Sequence, residues 1–263
     1  MKPTTTATAT TTTTTKHVFC FGDSLTHGTS PPQLEEYPYG KHLRDALLSY
    51  GPDASEGVSA PLPATVEWLG LPGWTSRSLL REVDLKGCLV QMAAARRRDP
   101  QATAAAAAGE TTATTNLPPF DLVIILAGTN DLGYETEPRP IVESIRGIHA
   151  IAHGLGCPTI ALGIPPSGYQ SVSTPARNLA GAVNRELEAW AAETAGAAAA
   201  DSPTARYVPH PIRDFDPSGG LWAPDGLHLS PEGYRFVAEE LAPIVAEILW
   251  DDPRPARPPG SSR

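Results

Sequence analysis

Cysteine is scarce. The three present, Cys20, Cys88 and Cys157, are odd in number and widely separated. That excludes a disulfide framework, and no pair has metal-ligand spacing. Cys20 and Cys157 sit in or beside apolar runs, where a thiol acts as a small hydrophobe, so all three read as structural. Positive charge is also in short supply: 20 basic against 29 acidic residues leave a formal charge of −9. A chain that neutralises phosphates needs a basic face, and the only cluster here, Arg96 to Arg98, suits a solvated helix end. No nucleic-acid partner is expected. Long apolar runs are missing too. The densest, Leu122 to Ala127, is far short of the ~20 residues that cross a bilayer. The first fifteen residues hold ten threonines and no apolar h-region, so a secretory signal is not expected. A transit segment would carry arginines, whereas here only Lys2 precedes Lys16. The expectation is a cytoplasmic protein with a disordered start, organelle transit being the alternative. No internal repeat is visible.

What is present is enough apolar material, 41% of 263 residues, for one large domain with excursions. Short apolar runs alternate with helical patterns. His17 to Phe21, Thr65 to Leu69, Asp121 to Ala127, Thr159 to Ile164 and Arg206 to Pro209 read as strands. Helical spacing covers about Tyr39 to Tyr50, Ser76 to Ala95, Pro140 to His153, Pro175 to Glu193 and Pro231 to Trp250. The last opens with Ser230 as N-cap, Pro231 at the first helical position and Glu232 in the first turn. Consecutive apolar residues at Leu122 to Ala127 need cover on both sides. Strands interleaved with helices predict an α/β fold, a mostly parallel five-stranded sheet with helices on both faces. The domain is expected over residues 17–250, between tails at 1–16 and 251–263. Twelve Ala or Thr among the fifteen residues Gln101 to Thr115 mark a low-complexity insertion.

In such a sheet, chemistry sits beyond the carboxyl ends of the strands. The first strand runs into Gly22-Asp23-Ser24-Leu25, where a glycine lets the chain turn sharply and a serine hydroxyl can face a cleft; Ser24 can equally be a helix cap. The third runs into Gly128-Thr129-Asn130-Asp131, where the Asn130 amide can enter the cleft or serve its own turn. Before the last helix stands Asp225-Gly226-Leu227-His228. A carboxylate three residues from an imidazole can hold its Nδ1–H and leave Nε2 to take a proton from a serine. After the second strand comes Gly70-Leu71-Pro72-Gly73-Trp74-Thr75-Ser76, where a glycine N–H can be aimed at an oxyanion.

These four blocks, in this order, resemble the SGNH hydrolases, the GDSL esterase/lipase superfamily, from Val18 to about Leu249. The resemblance implies a three-layer α/β/α fold of flavodoxin-like type and a serine ester hydrolase acting on a small-molecule ester. Ser24 would be the nucleophile, His228 the general base and Asp225 its orienter. The oxyanion hole would be formed by Ser24, Gly73 and Asn130. No metal or organic cofactor is implied. Trp68-Leu69 stands where many relatives carry an asparagine. Gly73 is preferred over Gly70 because Gly-Trp-Thr-Ser fits the family's Gly-x-Thr/Ser pattern. Trp74 and Leu132 are expected near the substrate, with Tyr134 and Tyr169 in similar positions after strand ends, while His27 is expected to be a surface loop residue. An acyltransferase using the same residues, or a binding module that keeps the fold without the reaction, are the rival readings.

Overall fold

The apolar run after Asp121 becomes the middle strand of a five-stranded parallel sheet in the computed structural model of the chain, which describes residues 15–48, 64–98, 118–197 and 202–250. The strands are β1 (Lys16–Asp23), β2 (Ala64–Leu71), β3 (Leu122–Leu126), β4 (Thr159–Leu162) and β5 (Ala205–Val208), in the order β2-β1-β3-β4-β5. All four pairings are parallel. The helices between them are α1 (Ser24–His27), α2 (Tyr39–Leu47), α3 (Ser76–Glu82), α4 (Leu85–Arg98), α5 (Pro138–His153), α6 (Gly168–Val172), α7 (Thr174–Ala197) and α8 (Pro231–Trp250).

Alternation along each strand divides the apolar residues between two cores. Leu122, Ile124 and Leu126 of β3 join Val18 and Cys20 of β1 beneath α2 and α8, which contribute Tyr39, Leu43, Tyr234 and Leu241. Val123 and Ile125 point the other way with Phe19 and Phe21, against Leu79, Leu89, Ile145 and Leu187 from α3, α4, α5 and α7. Every residue of β3 is buried, which explains why the run lacks the alternation of a half-exposed strand. The α/β/α layering and the parallel sheet agree with the sequence expectation.

Some boundaries differ. The helical pattern from Ser76 to Ala95 is two helices, because Val83 is extended (φ −99°, ψ 125°) and the Asp84 carboxylate accepts the Gly87 N–H at 2.9 Å, starting α4 afresh. Lys16, assigned to the tail, begins β1 and pairs with Asp121 at 3.1 Å. Ile164 lies beyond β4, and α8 begins at Pro231 with the Ser230 hydroxyl accepting the Gly233 N–H at 3.0 Å, as its N-cap reading required. The threonine-rich residues 1–14, the insertion at 101–115 and the tail at 251–263 lie outside the described residues. Among the described residues no helix is long and apolar enough to cross a membrane.

The chain leaves β1 toward β2 on one side and later returns to β3 on the other, so the order reverses between β1 and β3. A crevice at that switch point is where parallel sheets bind ligands. Gly22, at the close of β1, is required by its surroundings: a Cβ there would stand 2.0 Å from the Leu126 carbonyl oxygen and 2.5 Å from Thr26 Oγ1.

Candidate active site

Ser24 is the first residue of α1, directly after β1. The helix is short because Asp23 caps its start, accepting the Leu25 N–H at 3.0 Å, and Gly28 ends it in the left-handed region at φ 90°. That pins Ser24 at the sheet edge, with its Oγ 2.9 Å from His228 Nε2. The partner comes from a loop 204 residues further along the chain, and the loop is built to hold it. An antiparallel bridge joins Trp222 to Leu229, the Ala223 N–H donates to the His228 carbonyl at 2.9 Å, and Gly226 turns at φ 66°. Asp225 Oδ1 accepts the backbone N–H groups of Leu227 and His228, both at 3.0 Å, and Oδ2 lies 2.6 Å from His228 Nδ1. A carboxylate only accepts, so Nδ1 carries the hydrogen and the neutral ring keeps Nε2 as an acceptor for the serine hydroxyl. Partial burial raises the Asp225 pKa. Bonds from the His228 ring and the two backbone N–H groups outweigh it and hold the carboxyl below its usual range.

Asn130 opens a single 3₁₀ turn (Asn130–Gly133) after β3. Its Nδ2 donates one hydrogen to the Trp74 carbonyl at 2.9 Å, leaving the second for another acceptor. The next residue ties the same two loops again: Asp131 accepts the Ser76 N–H at 2.8 Å and the Ser76 hydroxyl at 2.6 Å. The loop carrying Gly73 is thus braced to the turn carrying Asn130 at two places. Of the rival glycines, Gly70 is packed: a Cβ on it would stand 2.1 Å from the His27 nitrogen. Gly73 is exposed, has φ 79° and borders open space. A side chain would meet nothing there, so Gly73 is the less crowded of the two glycines.

The other expected positions divide. Trp74 is half-buried and lines a cavity of about 410 Å³ together with Gly73, Thr75, Ser78, Glu82 and Tyr134. Leu132, expected near substrate, is 5% exposed and packs in the core beneath α3 and α5, where the tight 3₁₀ turn sends its side chain inward. Tyr134 and Tyr169 are exposed at 80% and 50%. His27 bonds Glu36 at 3.2 Å on the surface. Asp131 and Ser76 were not singled out in the sequence as a brace. The available signal was a charged residue directly after Asn130 opposite a serine in a loop of few residues, which points to a buried pair only once β2 and β3 are known to flank β1.

Asp23 is wholly buried, and its pKa is pushed up to about 7, first by burial and further by the nearby charge of Asp131, against the lowering effect of the Leu25 N–H. Since the folded state favours the neutral acid, Asp23 supports the fold most fully below the ordinary carboxyl range. That support fades as pH rises toward about 7. Buried His149 and His210, held down to about 3 and 4, act in the opposite sense over part of this window, so the Asp23 contribution is read as a difference. Asp23→Asn, which keeps an oxygen for the Leu25 N–H, is expected to gain several degrees in Tm over wild type as pH rises from 4 to about 7. A gap that stays constant would contradict this. Among the described residues no cluster of His, Cys, Asp and Glu is arranged to hold a metal ion.

Ser24, His228 and Asp225 are thus hydrogen-bonded in series at the switch point of a parallel sheet. Residues 20–236 match the GDSL-like lipase/acylhydrolase family, and the chain belongs to that family. Membership places it among the carboxylic ester hydrolases, whose substrates are small-molecule esters. No curated protein matches it in sequence. Among solved structures it is similar to TesA (TM-score 0.59, 16% identity, covering 89% of this chain and 100% of that one). It is also similar to a carbohydrate esterase family 3 protein from Talaromyces cellulolyticus (TM-score 0.55, 18% identity, 90% and 99%). A third is the M. smegmatis aryl esterase in its inhibitor-bound form (TM-score 0.54, 18% identity, 89% and 100%). At these identities the likeness is one of fold.

Proposed function

We propose that the chain is a serine esterase that hydrolyses a small or medium carboxylic ester through an acyl-enzyme. The observation that carries this reading is the unbroken hydrogen-bonded series from Ser24 Oγ through the His228 ring to Asp225 Oδ2. Ser24 attacks the ester carbonyl while His228 Nε2 takes the hydroxyl proton, and Asp225 stabilises the imidazolium that forms. The tetrahedral oxyanion is held by the backbone N–H groups of Ser24 and Gly73 and by the second Nδ2 hydrogen of Asn130. His228 then returns its proton to the leaving alcohol and activates water to release the acid. The neighbours that are a carbohydrate esterase and an aryl esterase by name support an ester substrate.

The test is turnover of p-nitrophenyl acetate, butyrate, octanoate and palmitate by wild type and by Ser24→Ala. Serine-dependent turnover, strongest with the short esters, is expected; equal rates for the two proteins would remove the nucleophile. The same assay carries a pH prediction. Only neutral imidazole accepts the serine proton, so kcat/KM should rise from about pH 5 to about pH 8. A flat profile over that range would contradict the role of His228. Adding an acceptor alcohol and following transesterification separates acyl transfer from hydrolysis.

A further inference from the structure

Beside the proposed oxyanion loop, the cavity of about 410 Å³ has a lining unlike that of an acyl-chain pocket. It contains no aliphatic side chain: Gly73, Trp74, Thr75, Ser78, Glu82 and Tyr134 make its wall. An alkyl chain gains by burying CH₂ groups against apolar neighbours, and few are offered here. The polar ends are also available. Trp74, Ser78 and Glu82 recur every fourth residue, which puts them along one line of α3 and its approach. The Ser78 hydroxyl accepts weakly from Thr75 at 3.4 Å and has its own hydrogen left to donate. No hydrogen bond or ion pair engages the Glu82 carboxylate or the Tyr134 hydroxyl among the described residues, although Tyr134 leaves 80% of its surface in water. An exposed aromatic on a concave wall, faced by a second aromatic and by an unengaged carboxylate, has the chemistry of a ligand subsite rather than of packing.

We infer that this groove receives the alcohol part of the ester, and that the alcohol is a ring-bearing polyol of the sugar class. A pyranose suits the wall in two ways. Its C–H faces can lie on Trp74 and Tyr134, while adjacent hydroxyls donate to the two Glu82 oxygens and accept from Ser78. Gly73 belongs both to this wall and to the proposed oxyanion hole, so a sugar held here would present an ester on a primary hydroxyl to Ser24. The inference rests on the esterase reading of the site, and Glu82 and Tyr134 are its specificity-determining residues.

A matched pair of esters tests it. Methyl 6-O-acetyl-glucoside and cyclohexylmethyl acetate carry the same acetyl group on a six-membered ring and differ chiefly in the hydroxyls. For wild type, kcat/KM is expected to favour the glucoside by about tenfold, the scale of one or two hydrogen bonds at a half-exposed wall. The ratio should fall toward unity in Glu82→Gln and in Tyr134→Ala, surface substitutions that leave the core alone. Preference for the cyclohexyl ester, or a ratio unmoved by both variants, overturns the inference. So does acetylcholine surpassing both esters, because the aromatic wall and carboxylate would then be reading a cation. If p-nitrophenyl acetate is turned over with dependence on Ser24 but neither ring ester is, only the groove assignment fails. If none of the esters is turned over, the esterase reading fails with it.

Discussion

Alanine at Ser24 or at His228 is expected to lower kcat by roughly 10⁴-fold or more, and alanine at both is expected to cost little beyond either alone. The reason is that in the proposed mechanism the two side chains act as one unit. Without Nε2 the hydroxyl keeps its proton, and without the hydroxyl there is nothing for Nε2 to activate. Asp225→Asn provides a sharper version of the same experiment. Asp225 Oδ1 is already committed to two backbone N–H groups at 3.0 Å, so the amide oxygen of an asparagine must take that side. Its NH₂ would then face His228 Nδ1 and donate to it, moving the ring hydrogen to Nε2 and removing the base. A loss of about 10³- to 10⁴-fold follows from the wrong tautomer, with KM little changed. A loss of tenfold or less for Asp225→Asn would mean that Asp225 does not set the ring, and additive losses for Ser24 and His228 would mean that they do not work together.

The second large effect belongs to the brace between the two proposed loop donors, Gly73 and Asn130. Asn130→Ala should reduce kcat by about 10²- to 10³-fold, the usual consequence of losing one oxyanion donor. Asp131 acts one step removed. It is 2% exposed and accepts two bonds from Ser76, two residues beyond the carbonyl that holds Asn130. Asp131→Ala leaves a buried N–H and a buried hydroxyl without partners, a destabilisation of about 2–3 kcal/mol. It should also lower kcat about tenfold by loosening the Gly73 loop. The positioning role predicts coupling: once Asn130 is alanine, removing Asp131 should cost kcat much less than it does in wild type, while its Tm penalty stays the same. Equal kcat losses in the two backgrounds would reduce Asp131 to a stabilising residue. Burial holds its carboxyl above the usual range despite the Ser76 bonds, which marks how fully this brace is withdrawn from water.

Which parts of this were legible beforehand follows from how local the determining forces are. The fully apolar β3 and the Ser230-Pro231-Glu232 start of α8 carry their causes within a few residues, and both emerge where expected. Ser24, Asn130, Asp225 and His228 could be named because each follows a strand or precedes a helix in a short motif. The meeting of Ser24 with His228 joins segments 204 residues apart, which no single segment contains. The break at Val83 was hidden because apolar residues keep helical spacing on both sides of it, and Leu79, Leu85 and Leu89 all reach the same core. The inward turn of Leu132 depends on a 3₁₀ turn, whose three-residue period carries a residue expected at the cleft down into the core. Asp131 was missed because its partner lies 55 residues away on a loop from another strand. The Glu82 and Tyr134 wall, likewise, exists only after α3 and the β3 turn are brought side by side.

The central claim is that Ser24 is the nucleophile, and covalent labelling tests it most directly. Native protein treated with a fluorophosphonate, digested and examined by mass spectrometry should carry a single adduct, on Ser24, formed more slowly in acid than at neutral pH, as activation by a neutral imidazole requires. An adduct on any other residue, or unlabelled protein that still hydrolyses esters, would contradict the account.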